Sequence, residues 1–296
     1  DRILGDQCAA EDMFAAKGLF DALGVASLDC RQDGAGGSTA HRAHYTMAGG
    51  IASIEQADAL LLIGANPRID APIIGARIRK RFLEGGLQVA ALGMPHDQTY
   101  AVEWLGEDLG DLANLAKART GFAKVLKDAQ NPLILVGGAA LRGTNGAGVL
   151  KAAADLAEKV KAIREDWHGF GVLQLAASRV AGLDLGCVPG EGGQSAAQIL
   201  DGGMDLVYLL SADDIDPSSL RDSFVVYQGH HGDVGASVAD VILPGAAYTE
   251  KSGTYVNTEG RVQQGKLVVF PPGEAREDWK IFRALSALVD KLSLIH

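Results

Sequence analysis

Short apolar runs rich in branched residues alternate with stretches whose apolar positions recur every three or four residues. This is the pattern of strands and helices taking turns along a chain. Ala59-Leu60-Leu61-Leu62-Ile63 reads as a buried strand, followed by the loop Gly64-Ala65-Asn66-Pro67. A helix is expected from about Pro72, with Ile73, Ile74, Ile78 and Phe82 on one face and Gly85-Gly86 as its stop. Gln88–Leu92 is the next strand, and the unit has the length of a right-handed crossover in a parallel sheet. The second half repeats the pattern. Pro132–Val136 reads as a strand, and the glycine-rich loop Gly137–Gly148 leads into an alanine-rich helix ending near Ile163. Asp205–Leu210, Phe224–Tyr227, Asp240–Leu243 and Leu267–Phe270 read as further strands; Glu11–Leu23, Ser195–Leu200 and Arg276–Leu292 read as helices. The expected fold class is α/β, with two doubly wound Rossmann-like units joined near residues 120–131. Residues 1–125 make the first domain and 126–296 the second, with segment 245–296 able to return to the first.

A length of 296 residues suits two domains, and 47% hydrophobic with 22% charged residues is a folding composition, not a disordered one. Lys plus Arg (27) against Asp plus Glu (37) gives a net charge of −10, which argues against a nucleic-acid partner. Cys8, Cys30 and Cys187 stand too far apart to hold a cluster or form a disulfide framework, so they read as reduced thiols. Apolar runs fall short of the ~18 residues of a membrane helix, so no direct membrane insertion is expected. The chain opens on Asp1 without Met or an apolar leader and reads as a piece of a longer protein.

Gly64–Pro67 and Gly137–Gly148 follow strands, where loop N–H groups and helix starts favour anions. Neither matches a Walker A loop or a G-x-G-x-x-G fingerprint, and a turn that needs permissive glycine is the plainer reading. His41, His44, His230 and His231 could offer imidazoles to a metal, but no further ligands stand nearby, and surface or structural histidines are the plainer reading. Asp213-Asp214-Ile215-Asp216 lacks the calcium-loop pattern and reads as turn and cap chemistry before Pro217. No catalytic constellation emerges from residue chemistry.

One long block is distinctive: Phe224-Val225-Val226-Tyr227-Gln228-Gly229-His230-His231-Gly232-Asp233-Val234-Gly235, then Ala239–Gly245, then Tyr248-Thr249-Glu250-Lys251-Ser252-Gly253-Thr254-Tyr255-Val256-Asn257-Thr258-Glu259-Gly260-Arg261-Val262-Gln263. With Gly64–Arg68, Ala76–Lys80 and Arg276–Lys280 it closely resembles the large iron–sulfur subunits of NADH:quinone oxidoreductase, respiratory complex I. The C-terminal part of such subunits is similar to the molybdopterin oxidoreductases, with the formate dehydrogenase / DMSO reductase fold, where comparable loops enclose a pterin dinucleotide.

The resemblance implies a vestigial pterin-dinucleotide cradle at Gly64, Asn66, Pro67 and Arg68. The metal-ligand position after Leu28-Asp29-Cys30-Arg31-Gln32-Asp33 falls on Gly34 or Ala35, so no metal and no catalytic residue is expected. The implied parent holds 2Fe-2S and 4Fe-4S clusters upstream, moves electrons from NADH to quinone coupled to proton translocation, and has this region as a cofactor-less scaffold. Implied partners are the other subunits of the peripheral arm. The implied location is the cytoplasmic face of a bacterial inner membrane or the mitochondrial matrix side. The alternative is a pterin-binding or catalytically active molybdopterin oxidoreductase. Asn257, Glu259 and Arg261 are expected to form a local polar network.

Overall fold

The computed structural model describes residues 1–118, 120–232 and 234–290, so Asp233 and the expected helix end at Leu292 lie outside the described residues. In chain order the strands are β1 (Arg2–Leu4), β2 (Leu28–Asp29), β3 (Ala59–Ile63), β4 (Gln88–Leu92), β5 (Glu103–Gly106) and β6 (Pro132–Gly137). They continue with β7 (Phe170–Leu173), β8 (Leu206–Leu210), β9 (Phe224–Gly229), β10 (Val241–Pro244), β11 (Gly253–Val256) and β12 (Val262–Gly265). The chain forms two units. Unit 1 is Asp1–Gly34, Ala176–Asn257 and Val262–His296; unit 2 is Ala35–Leu175 and Thr258–Arg261.

Unit 2 holds a parallel sheet in the order β5-β4-β3-β6-β7. Every residue of β3 is buried, as a strand covered on both faces requires. Ala59, Leu61 and Ile63 pack with Val149, Leu150, Ala153 and Leu156 of the helix Gly146–Lys159. Leu60 and Leu62 point to the other face, against Ile74 and Ile78 of the helix Pro72–Leu83. Each such aliphatic side chain stabilises the unit by roughly 1.5–3 kcal/mol through burial.

Unit 1 holds the parallel sheet β10-β9-β8-β1-β2 and an antiparallel hairpin of β11 and β12. Ile3, Val207, Leu209, Val225 and Tyr227 form its core together with Ile199. Arg2 is 1% exposed within β1. Its guanidinium bonds the carbonyls of Val25 (2.6 Å) and Ser27 (3.3 Å) and lies 4.4 Å from the centre of the Phe20 ring.

The α/β class and the two doubly wound sheets agree with the sequence reading. The boundary at 125/126 does not separate the units, because β6 pairs with β3 and residues on both sides of that point build one sheet. Ile73 is 72% exposed and leaves the packed face to Ile74 and Ile78. The alanine-rich helix stops at Lys159, since Lys161 turns to a positive φ and Ile163 bridges to His168. Leu267–Phe270 is no strand; its side chains are exposed, and the ladder partner of β11 lies earlier, at β12.

Candidate functional site

In an open parallel sheet, the crevice forms at the carboxyl ends of the two strands where the order of addition reverses. In unit 2 these are β3 and β6, followed by Gly64 and by Gly138. Gly64 has φ +52°, and a Cβ there would stand 2.7 Å from the Ala140 Cβ. A Cβ on Gly137 would stand 2.2 Å from the Gly64 carbonyl oxygen, so the two loops close backbone against backbone.

The four cradle residues are satisfied within the unit. The Asn66 N–H donates to Asp70 Oδ2 at 2.7 Å, and Asn66 Oδ1 accepts from Gln98 Nε2 at 3.3 Å. Pro67 opens the one-turn helix Pro67–Asp70 that precedes the expected helix at Pro72. Arg68 donates to the carbonyl (2.7 Å) and carboxylate (2.8 Å) of Asp97. A cavity of about 500 Å³ lies beside these loops, lined among others by Asn66, Asp70, His96, Trp104, Glu107 and Ala140, and, among the described residues, by no Lys or Arg.

In unit 1 the order reverses between β1 and β8. A cavity of about 510 Å³ lies at their carboxyl ends, and its walls include Asp6, Gln32, Asp213, Asp214, His230 and His231. Again, among the described residues no Lys or Arg lines it. Asp213 accepts from the Tyr227 hydroxyl (2.6 Å) and from the Gly235 N–H (3.1 Å), at the start of the turn Val234–Ser237. Burial pushes the Asp6 carboxyl up, opposed by Arg179 and Gln32. His230 and His231 face each other through their Nδ1 atoms, and burial with the neighbouring imidazole holds His230 below its usual value.

The remaining candidates resolve into structural roles. Asp216 takes the Ser218 N–H at 3.0 Å, as turn chemistry predicts. His41 and His44 stack edge to face at 5.4 Å in unit 2, whereas His230 and His231 belong to unit 1. Among the described residues no group of three or more His, Cys, Asp or Glu is placed to hold a metal. All three cysteines are free and buried, and burial raises each thiol. Around the expected metal-ligand position, Arg31 forks onto Asp29 (2.7 and 2.9 Å), and Arg179 holds Asp33 at 2.8 Å.

Sequence reasoning passed over Asp70, whose signal was its place one helical turn after Asn66. It also passed over Asp6 and Glu107, which carry no local signal, and quoted Gln32 only within the stretch that precedes Gly34. Lys251, quoted only as part of the long motif, sits buried between Asp12 (2.7 Å) and Asp278 (2.5 Å).

The molybdopterin oxidoreductase family model matches residues 2–288. The chain belongs to the molybdopterin oxidoreductase family. It is 38% identical to the NADH-ubiquinone oxidoreductase 75 kDa subunit of Reclinomonas americana, over 98% of this chain and 44% of that protein. It is 42% identical to the mitochondrial NADH-ubiquinone oxidoreductase 78 kDa subunit of Candida albicans, over 96% of this chain and 39% of that protein. The chain thus spans less than half the length of these relatives.

Two solved structures share the fold. One is the formyltransferase/hydrolase complex of Methylorubrum extorquens (TM-score 0.68, 19% identity, 98% of this chain and 92% of that one). The other is acetylene hydratase of Pelobacter acetylenicus (TM-score 0.58, 12% identity, 99% of this chain and 56% of that one).

Membership implies a pterin cofactor, and the residues present do not fit its phosphates. The Asn66 N–H, which stands after β3 where a switch-point anion would be bound, already donates to the carboxylate of Asp70. Carboxylates line both cavities, Asp70 and Glu107 in one and Asp6, Asp213 and Asp214 in the other, and they repel a pyrophosphate.

Proposed function

We propose that this chain is the molybdoenzyme-like part of the large iron–sulfur subunit of an NADH:quinone oxidoreductase and acts there as a cofactor-less scaffold. The observation that carries the scaffold role is internal: Asp70 occupies the Asn66 backbone donor at the β3/β6 switch point that a bound phosphate would need. Close identity to the 75 and 78 kDa relatives along nearly the whole chain supports the parent complex. In this reading the parent moves electrons from NADH to quinone through 2Fe-2S and 4Fe-4S clusters outside this region, coupled to proton translocation. This region contributes packing, not chemistry.

Its partners are then the other subunits of the peripheral arm. Its place is peripheral, at the cytoplasmic face of a bacterial inner membrane or on the matrix side of a mitochondrial one. Among the described residues no helix is long and apolar enough to cross a membrane, which accords with a peripheral position.

The test is elemental and pterin analysis of the purified chain together with isothermal titration of GMP and GDP. Substoichiometric molybdenum and tungsten, no extractable pterin and no saturable nucleotide binding below millimolar concentration are expected. A stoichiometric metal with pterin, or micromolar nucleotide binding lost in Asn66→Ala, would establish the alternative, a working pterin site.

A further inference from the structure

Away from both crevices, unit 2 carries a depression of about 650 Å³. It is lined by the ends of the helices Leu112–Lys117 and Gly146–Lys159 and by one side of the helix Phe122–Asp128. Its floor is apolar, with Ala123, Leu156 and Val160 each at most 7% exposed. Its ionisable lining, among the described residues, is Lys117, Lys124, Lys127 and Lys159 against Asp128, in a chain of net charge −10. Lys124 pairs with Asp128, and the Lys159 ammonium donates to the Ala116 carbonyl. Lys117 and Lys127 are exposed and make no ion pair or hydrogen bond among the described residues. Lys117, Lys127 and Lys159 each lie in the last turn of a helix, where a cation suits the dipole. That role is local to each helix; convergence on one apolar floor makes a surface of them. A second depression, of about 320 Å³, shares Lys124 and Asp128 with the first and continues past Gly121 and Val125 to Gly86 and Gln88.

We propose that this strip docks an acidic amphipathic segment of a partner polypeptide, its apolar side on Ala123, Leu156 and Val160 and its carboxylates among the four lysines. Charge complementarity selects the occupant: a local excess of cations on an acidic protein steers in an acidic chain and turns away further copies of this one. The two adjoining depressions form a run better matched by a polypeptide than by a compact small molecule. A nucleic acid needs cations repeated along its backbone, and the net charge opposes it. A membrane surface takes protruding apolar anchors, whereas here the apolar residues form the recessed floor. The proposal rests on the scaffold reading, in which this region packs against other subunits, and it names the chemistry of one such contact.

The test uses the parent complex, purified through this subunit, with its metal and pterin content measured. A water-soluble carbodiimide joins lysine amines to carboxylates in contact, and mass spectrometry reads the joined pairs. Lys117 or Lys127 is expected to be joined to Asp or Glu of another polypeptide, in a segment that also carries apolar residues. A synthetic peptide of that segment, titrated into the full chain and followed by fluorescence anisotropy, should bind more weakly as sodium chloride rises. Reversal of both free lysines, Lys117→Glu with Lys127→Glu, should weaken it about tenfold. Both are exposed, so the fold is kept, and Lys151→Glu, an exposed change outside the depression, should leave binding unaltered. A chain that co-purifies with no other polypeptide refutes the parent complex and this surface together. A pterin-loaded complex refutes only the scaffold, and the cross-links still decide the surface. A cofactor-free complex in which these lysines join no other polypeptide, while other lysines do, overturns the docking proposal alone. Peptide binding undiminished by the double reversal, or lysine-dependent binding to phosphatidylglycerol vesicles in place of the peptide, overturns it as well.

Discussion

Lys251 Nζ lies 2.5 Å from Asp278 Oδ2 and 2.7 Å from Asp12 Oδ2, so one buried ammonium ties the final helix of unit 1 to its first. The carboxylates are also fed by other donors. Gln228 Nε2 donates to Asp278 Oδ1 at 2.9 Å, and the Ala9 N–H donates to Asp12 Oδ2 at 3.1 Å. The network explains why this Lys and Asp stand in the long motif: they fasten chain segments together and touch neither crevice.

Lys251→Met should therefore destabilise unit 1 severely. Removing one member of a buried ion cluster leaves its partners uncompensated, which costs about 3–5 kcal/mol. Urea denaturation followed by circular dichroism measures it. A loss no larger than that of an exposed pair, such as Lys151 with Asp155, would show that the cluster is idle.

The same cluster should make stability depend on pH. Burial, then the neighbouring Asp278, pushes the Asp12 carboxyl up to about 6 from a usual 3.8. The native state therefore keeps a proton between about pH 4 and 6 that the unfolded chain has released, so this group's contribution falls as pH rises through that window. Lys251 is shifted upward by its two carboxylates, so its contribution persists at neutral pH and is lost only in the alkaline range. Urea midpoints from pH 4 to 7 should decline in the parent relative to Asp12→Asn, which lacks the proton. Parallel profiles would count against the shift.

Closure of the unit 2 crevice makes a graded prediction for its two glycines. At Gly137 an added methyl meets the backbone oxygen of Gly64 at 2.2 Å, and no side-chain motion can relieve it. At Gly64 the clash is with the Ala140 methyl, and the residue must also hold φ +52°. Gly64→Ala should cost about 1–3 kcal/mol, and Gly137→Ala more. Adding Ala140→Gly should recover part of the Gly64→Ala loss and none of the Gly137→Ala loss, as thermal melts can show.

Glu259→Ala should lower stability by about 1–3 kcal/mol, because its Oε2 takes the Ile51 N–H at 2.9 Å in a part-buried setting. Its Oε1 pairs with Arg261 at 2.9 Å, but Arg261 is 68% exposed, so Arg261→Ala should cost well under about 1 kcal/mol. Equal losses for the two variants would refute the local role assigned to Glu259.

What could be read without coordinates follows the physics of each element. Ala59–Ile63 and Pro132–Val136 announce themselves because a strand covered on both faces must be a continuous apolar run. β1 escapes notice: it is three residues long, begins with an arginine, and draws its burial from segments some two hundred positions away. The Gly64–Pro67 loop is legible as a loop at a strand's carboxyl end because it directly follows an apolar run; that it stands at the switch point is set by the strand order. The acidic crevice of unit 1 is not legible, since Asp6, Gln32, Asp213 and His230 come together only when four separate strand ends align.

Unit 1 is threaded around unit 2 in sequence, and that has a consequence for birth on the ribosome. β1, flanked by β2 and β8, cannot be completed until Leu206–Leu210 has emerged, while Ala35–Leu175 has by then released every strand of the other sheet. The sheet of unit 2 can therefore form while the first thirty-odd residues wait with an unpaired strand edge. That edge is where nascent-chain aggregation, and any chaperone that prevents it, must act.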